Sequence, residues 1–304
     1  MKMSAVQKKH GKKLSVFMAL NYAFMFLIVF VMVFPYLNVL AKSLNEANDT
    51  ILGGITFFPR KFTINNFITL LSDSQLVQSG VNSIIRVFAG TAIALIVQFI
   101  CAYALSQKVL VGKTPILIFF IIPMFFNGGL IPQYILYSEL KLLNNFLVYL
   151  LPGAFSFFNV VIIRTYMQTL PDSLTESAKL DGANHLQILI FLTLPLSIPI
   201  LATVTLWIAV GHWNDWTTTL YFITKSRLFV LQFVLMQVIR ETERIRQMIQ
   251  YALEQGLNPG AKLPTTPEAL RAAQVVLTTL PIIILYPLLQ RYFIKGITIG
   301  AVKE

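Results

Sequence analysis

The sequence has a single cysteine, Cys101, and only 12% of its 304 residues carry a charge. One cysteine cannot form an internal disulfide framework, and no group of cysteines and histidines has the spacing of a metal site. So few charges, together with 56% hydrophobic residues and a mean hydropathy of +0.70, exclude an ordinary soluble domain. The composition therefore predicts an integral membrane protein.

Residues that carry enzyme chemistry are also scarce. The sequence shows no paired carboxylates and no nucleophile elbow, so it does not indicate a membrane enzyme. Gly112-Lys113-Thr114 looks like the end of a phosphate-binding loop, but such a loop needs a glycine where Gln107 stands. We therefore expect no bound cofactor, metal or nucleotide, and any ATP must be handled by another subunit.

Positive charge is in excess, with a formal net charge of +11. Its distribution suits a membrane topology signal better than a nucleic-acid site, because lysines precede the first apolar run and recur in the short loops of one side. Both termini are therefore expected in the cytoplasm, with residues 1–13 as the N-terminal segment and 295–304 as the tail of a multi-pass protein of the cell membrane. The N-terminal lysines are Lys2, Lys8, Lys9, Lys12 and Lys13.

Six apolar runs are long enough, or nearly so, for the roughly 20 residues that a helix needs to cross a bilayer. They cover residues 14–40, 81–106, 115–137, 153–168, 199–222 and 272–292. The first run is too long for a signal peptide and predicts a retained anchor. We expect an all-α integral membrane protein with six transmembrane helices, forming one domain over residues 14–294.

The third run is interrupted by Pro123, Asn127, Gly128, Gly129 and Pro132. Such interruptions leave backbone groups unpaired, which is tolerated at membrane depth only against protein or a water-filled path. The run predicts either a bent helix near a translocation route or a helix whose outer end frays early.

The loop over residues 171–198 carries helix signals between two apolar runs. Ser173 and Glu176 fit a capping box that starts a short helix, and Gly182 is placed to end it. Asn184 is placed to cap a second helix, which Pro195 interrupts. We expect a structured cytoplasmic helix-turn-helix here.

The longest polar stretch, residues 224–271, is expected on the outer side. Apolar residues at helical spacing alternate there with arginines and glutamates, which predicts an amphipathic helix over residues 234–253 that ends near Gly256. Pro267 should open the helix that becomes the last span, because proline is favoured at the first helical position.

Glu176-Ser177-Ala178, Gly182 and Leu192-Thr193-Leu194-Pro195 resemble the EAA motif of the membrane subunits of ABC-type importers, with every spacing kept. Ser177 replaces the middle alanine and Leu192 replaces an isoleucine. The resemblance implies the type I ABC importer (MetI-like) permease fold and a coupling helix in this loop that docks on a cytoplasmic ATPase. The implied coupling residues are Glu176, Ser177, Ala178, Asp181, Gly182, Ala183, Leu194 and Pro195.

The surroundings of the motif and the tail Gly300-Ala301-Val302-Lys303 look like the carbohydrate-uptake branch of that family, similar to the smaller permease of the maltose importer. The stretch from Gly211 to Trp216 resembles the subgroup that imports alginate and pectin oligosaccharides. The resemblance implies uptake of an oligosaccharide from an extracellular solute-binding protein. It also implies a second permease and two ATPase subunits as partners, besides membrane lipid.

Two further groups of residues are candidates for function. Polar and aromatic residues in the outer part of the fifth run suit either a sugar path or a structural belt: His212, Asn214, Asp215 and Trp216. Trp213 points to another helical face and is expected to face lipid. The outer amphipathic helix is expected to contact the binding protein through Val238, Arg240, Ile245 and Met248.

Alternatives stay open at this point. The chain could be an ABC importer permease for a solute other than sugar, or an ATP-independent carrier. A carrier is expected to have charged residues in the middle of its spans, and the nearest candidates, Asp215 and His212, lie toward an end of theirs.

Overall fold

A computed structural model of the chain describes residues 16–51, 53–126, 128–254 and 267–301. The N-terminal segment 1–13, Asn127, Gly256 and the last three residues of the tail lie outside these ranges. Within them, regular structure is helical apart from one antiparallel bridge between Asn45 and Phe62. The predicted all-α fold is therefore confirmed.

The first helices follow the predicted order. They are α1 (Val16–Ser43), α2 (Ala47–Ile51), α3 (Asn65–Ser72), α4 (Ser74–Ser106), α5 (Lys113–Phe125) and α6 (Leu130–Glu139). Helix α4 ends where the second span was predicted to end, but it starts seven residues earlier, because the Asp73 carboxylate accepts hydrogen bonds from the Gln75 and Leu76 backbone N–H groups. The third predicted span is broken between α5 and α6, where Gly129 has a φ of 85°.

A short connecting segment then leads into the next long helix. It forms two 3-10 turns, Phe146–Tyr149 and Pro152–Ala154, before α7 (Phe157–Met167). This segment is packed into the protein, where Val148 and Tyr149 are each 2% exposed. Asn144, with a φ of 56°, turns the chain there, and its Oδ1 accepts hydrogen bonds from Thr224 and Lys225.

The second half contains the remaining helices. They are α8 (Asp172–Leu180), α9 (His185–Gln187), a π-helical segment (Ile188–Thr193), α10 (Leu194–Leu196), α11 (Ile198–Asn214), α12 (Thr217–Phe222), α13 (Leu231–Glu254) and α14 (Pro267–Ala301). Helix α14 begins at the predicted proline and continues into the segment predicted as a tail. The predicted fifth span is divided at Asp215, between α11 and α12.

Helices α1 and α4 are each long and apolar enough to cross a membrane. Within the described ranges the number rises to five if each of three bent helix pairs is one span. The sixth predicted span, residues 272–292, lies within α14. The count of six stays a prediction.

The core lies where α4 packs against α7 and α11. Small side chains permit close approach of the helices: Ala94 and Ala102 in α4 are fully buried, as are Val160 and Ile163 in α7. Helix α14 packs on the other side of α11 and against α1. This arrangement places α4 at the centre, with its N-terminal half near α13 and its C-terminal end near the loop that follows α7.

Candidate functional site

The loop between α7 and α11 begins with α8, which starts one residue before the predicted cap. Pro171, in extended conformation, precedes Asp172, and no side chain caps the helix. The predicted capping box of Ser173 and Glu176 is therefore wrong. Two other features start the helix. Pro171 has a fixed φ just before the first turn, and the negative charge of the Asp172 carboxylate is stabilised by the positive N-terminal end of the helix dipole.

The end of α8 matches the prediction. Gly182 has a φ of 82°, its N–H donates to the Lys179 carbonyl, and the Ala183 N–H donates to the Ala178 carbonyl, with N–O distances of 3.0 and 2.9 Å. These two bonds form a Schellman motif, which requires the left-handed conformation that glycine adopts at little cost. Gly182 therefore sets the angle at which the chain leaves α8.

The second part of the loop is capped by Asn184, as predicted. Its Oδ1 accepts a hydrogen bond from the Gln187 N–H at 2.9 Å, and Gln187 Oε1 accepts one from the Asn184 N–H at 2.8 Å. The chain then widens into a π-helical segment, in which the Leu194 N–H donates to the Leu189 carbonyl five residues back. Pro195 follows, and the axis bends by 80° before α11.

One side of this loop is anchored in the core and the other is open. Ala178 and Ala183 pack against the buried cluster that includes Ile188. On the open side, Leu180 is 89% exposed and Phe191 is 76% exposed. The loop also borders a concavity of about 440 Å³, so it combines exposed apolar side chains with a hollow that a partner could fill.

The eight predicted coupling residues lie along this loop. Glu176, Ser177, Asp181 and Gly182 are exposed, Ala178 and Ala183 are half-buried, and Leu194 and Pro195 are exposed beyond the π-helical segment. Two contacts join the loop to α4 and the turn that follows it. Lys108 Nζ lies 2.6 Å from Asp172 Oδ2, a bond that raises the pKa of Lys108, and the Tyr103 hydroxyl donates to the His185 carbonyl at 3.3 Å.

A second polar site lies beside the N-terminal half of α4. Arg86 in α4 is 3% exposed and forms an ion pair with Asp215, whose backbone carbonyl also accepts a hydrogen bond from Arg86 at 2.8 Å. The Arg86 guanidinium lies 4.6 Å from the centre of the Tyr149 ring. The Tyr149 hydroxyl in turn bonds to Thr219 Oγ1 and to the Leu228 carbonyl. This network ties α4 and α11 to the base of α13.

Asp215 also lies at the junction of two helices and affects both of them. It ends α11, and its Oδ1 accepts hydrogen bonds from the Thr217 and Thr218 N–H groups at 2.9 and 3.1 Å, which begins α12. The prediction that residues 212–216 follow the faces of one continuous helix is therefore wrong beyond Asn214, because α11 ends there.

His212 is held between two glycines. Its ring lies so close to α4 that a Cβ atom on Gly90 would be 2.6 Å from His212 Nε2, and a Cβ atom on Gly153 would be 3.1 Å from Cε1. A larger residue at Gly90 would therefore force the His212 ring to shift, and one at Gly153 would require a smaller adjustment of the same ring.

The other residues of the predicted sugar path lie in different surroundings. Asn214 is exposed, and Trp216 is half-buried with the Arg240 guanidinium 5.8 Å from its ring centre. Trp213 does not face lipid: it is 9% exposed, and its Nε1 donates to the Thr278 carbonyl of α14 at 2.8 Å. The physical reason is that a buried indole needs a partner for its N–H, and α14 supplies one.

Helix α13, predicted to contact a binding protein, has an anchored base. Leu231, Phe233 and Val234 are buried against the chain's own helices. Farther along, Val238 is half-buried and Arg240 is exposed, whereas Ile245 and Met248 lie outside the described side chains. The contact with a binding protein stays a prediction.

Sequence reasoning missed several residues of the second site. Arg86 and Gln98 are polar residues within the second apolar run, and an ionisable or amide group inside a span is a functional signal in itself. Tyr149 carried no such signal, because its burial depends on how the 3-10 turn Phe146–Tyr149 packs into the protein. Arg86, Gln98 and Tyr149 line a common cavity of about 260 Å³ with His212 and Asp215.

The chain is similar to known proteins over nearly its whole length. The family model described as "Binding-protein-dependent transport system inner membrane component" matches residues 14–299. The chain is 29% identical to the polygalacturonan/rhamnogalacturonan transport system permease protein YtcP of Bacillus subtilis strain 168, over 93% of this chain and 97% of that one. It is 33% identical to Protein LplC of the same organism, over 99% of this chain and 100% of that one.

A solved structure is similar throughout. A chain in the crystal structure of a bacterial ABC transporter involved in the import of the acidic polysaccharide alginate matches with a TM-score of 0.82 and 25% identity. The match covers 96% of this chain and 100% of that chain.

Proposed function

The chain belongs to the family of binding-protein-dependent transport system inner membrane components, and from that premise we propose that it imports an oligosaccharide. The family consists of membrane transport subunits rather than enzymes. The observation that carries the proposal is the full-length likeness to YtcP and to the alginate importer, both named for carbohydrate polymers. The substrate would reach the permease from an extracellular solute-binding protein.

The loop that contains α8 supports a role for an ATPase partner. The solvent-exposed side of this loop carries Leu180 and Phe191 beside a concavity of about 440 Å³. Exposed apolar side chains around a concavity mark a protein interface. We assign this surface to a cytoplasmic ATPase, with Glu176 and Gly182 at its centre. One such loop on this chain and one on a second permease would engage two ATPase subunits.

This assignment fixes the proposed orientation. The α8 loop faces the cytoplasm, α13 faces outward toward the binding protein, and both termini lie in the cytoplasm after six spans. The lysine distribution supports this arrangement.

The function is tested with the complete complex in lipid vesicles. This permease is co-expressed with a partner permease, an ATPase and a solute-binding protein from the same organism, and ATP hydrolysis is measured with oligogalacturonate, maltotriose or an amino acid as solute. We expect the ATPase to co-purify and a sugar, together with binding protein, to stimulate hydrolysis and uptake. Stimulation by the amino acid alone would replace the sugar assignment, and uptake without any ATPase would replace the importer assignment.

A further inference from the structure

The 260 Å³ cavity lies in the interior between α4, α7, α11 and the 3-10 turn at Pro152–Ala154. Its polar side chains extend along α4 from Arg86 to Gln98, which are about 18 Å apart along a helix that rises roughly 1.5 Å per residue. Ser156 and Asn159 contribute further polar groups from the start of α7. The cavity therefore brings several polar side chains together inside an apolar helix bundle, beside apolar lining residues such as Val148 and Ile208.

Two polar side-chain atoms in this cavity have no hydrogen-bond partner among the described residues. Gln98 is fully buried, its Nε2 donates to the Ala154 carbonyl at 3.2 Å, and its Oε1 has no partner among the described residues. Arg86 Nε is also without a partner in that part of the chain. A buried polar atom without a partner costs roughly 1–3 kcal/mol, so these atoms point to a ligand that brings hydroxyl groups.

Aromatic rings adjoin two of the segments that line the cavity, because Trp207 precedes the lining residue Ile208 and Phe158 precedes the lining residue Asn159. Gly153 and Gly211 in the lining are exposed, and Trp207 lies one turn before Gly211 on the same face of α11. Trp207 is 45% exposed and its ring centre lies 6.3 Å from that of Phe158, which is 48% exposed. Flat rings of this kind pack on the C–H faces of a sugar ring, whose edges carry hydroxyl groups.

Resting on the function proposed above, we infer that this cavity is a subsite for one sugar ring of the transported oligosaccharide. Gln98 Oε1 accepts a hydrogen bond from a sugar hydroxyl, and Trp207 packs on the face of the ring. A volume of 260 Å³ is just below the roughly 300–1,000 Å³ of drug-sized ligand pockets, so the subsite fits one ring and not a chain.

This subsite differs from the path predicted from the sequence. Asn214 and Trp216 do not line the cavity, and neither do Trp207 and Phe158, which are chain neighbours of lining residues. Asp215 lines it but uses its carboxylate for Arg86 and the start of α12. Gln98 Oε1 can still accept a hydrogen bond, whereas the carboxylate oxygens of Asp215 already have partners. The residue that selects the sugar is therefore Gln98, in α4.

The test compares two matched substitutions in the reconstituted complex. Gln98→Met removes the amide and keeps the length of the side chain, and Gln274→Met does the same at another fully buried glutamine without hydrogen-bond partners in the described structure, in α14 outside the cavity. The measurement is the number of oligogalacturonate or maltotriose molecules imported per ATP hydrolysed, at saturating binding protein. We expect Gln98→Met to lower this ratio about three- to tenfold, as the loss of one hydrogen bond implies, and Gln274→Met to leave it unchanged.

A second pair of variants keeps the inference testable if Gln98→Met lowers the amount of assembled complex. Trp207→Ala should lower the same ratio and Trp207→Phe should restore most of it, because a flat ring returns. An unchanged ratio in Gln98→Met, an equal loss in Gln274→Met, or an equal loss in both Trp207 variants would overturn the subsite. Failure of the wild-type complex to import any sugar would instead refute the proposed function, so the two failures are distinct.

Discussion

Arg86 in α4 and Asp215 at the end of α11 form an ion pair across 129 positions of sequence. The Arg86 side chain is 3% exposed and that of Asp215 is 24% exposed. A charge at this depth is tolerated because its partner, an aromatic face and a backbone carbonyl surround it. The pair therefore fixes the C-terminal end of α11 on α4, and α12 begins at the same carboxylate.

Removal of one member of this pair should be worse than removal of both. Asp215→Asn leaves the buried Arg86 guanidinium without a countercharge, and we expect a loss of about 3 kcal/mol in the free energy of unfolding, the lower end of the range for buried pairs because Asp215 is partly exposed. Arg86→Met combined with Asp215→Asn should recover at least half of it. Thermal unfolding of the purified complex measures this, and additive losses would show that the pair is not coupled.

The contact of His212 with Gly90 makes a second prediction. Gly90→Ala places a methyl group 2.6 Å from His212 Nε2, and such overpacking costs about 1–3 kcal/mol. Gly80→Ala in the same helix meets no atom within 4 Å and should be neutral or stabilising, because alanine favours helices. His212→Ala should rescue Gly90→Ala in the same unfolding assay. Equal behaviour of the two alanine variants would show that His212 moves aside freely.

The sequence predicted local features well where one or two residues decide them. The left-handed end of α8 at Gly182, the cap at Asn184 and the start of α14 at Pro267 follow from backbone chemistry alone. The polar site could not be predicted in the same way. Its ion pair joins residues from distant segments, and the break at Asp215 depends on Thr217 and Thr218, whose N–H groups it caps.

Trp213 shows the limit of periodicity. Helical spacing correctly separated it from His212, but spacing does not say which neighbour covers a face. The Thr278 carbonyl of α14 accepts its N–H, so the side expected to face lipid is an internal contact.

Gly182→Val should uncouple transport from assembly. No atom lies within 4 Å of a Cβ placed there, but the φ of 82° is unfavourable for a β-branched residue. We expect the variant to assemble with the permease partner and to lose most uptake, because α8 no longer presents the same surface to the ATPase. Gly182→Asn, which tolerates this conformation better, should retain most activity. Normal uptake by Gly182→Val would refute the coupling role.

The outer helix gives a prediction about the binding protein. Replacement of residues 240–255 by a Gly-Ser linker of equal length leaves the anchored base at Leu231 and Val234 intact. We expect basal ATP hydrolysis and complex assembly to persist, and stimulation by the loaded binding protein to disappear. Undiminished stimulation would mean that the binding protein docks elsewhere.

The proposed orientation can be tested with single cysteines in a Cys101→Ser background. Gln247 in α13 is exposed, so Gln247→Cys should react with a membrane-impermeant maleimide on intact spheroplasts that lack the binding protein. Val111, in the turn after α4, is 91% exposed, and Val111→Cys should react only after the membrane is opened. Ser177→Cys should behave as Val111→Cys does, and it should gain reactivity when the ATPase is stripped away, because Ser177 lies on the surface assigned to that partner. Reaction of Val111→Cys or Ser177→Cys on sealed spheroplasts would invert the topology and remove the α8 loop from the cytoplasm.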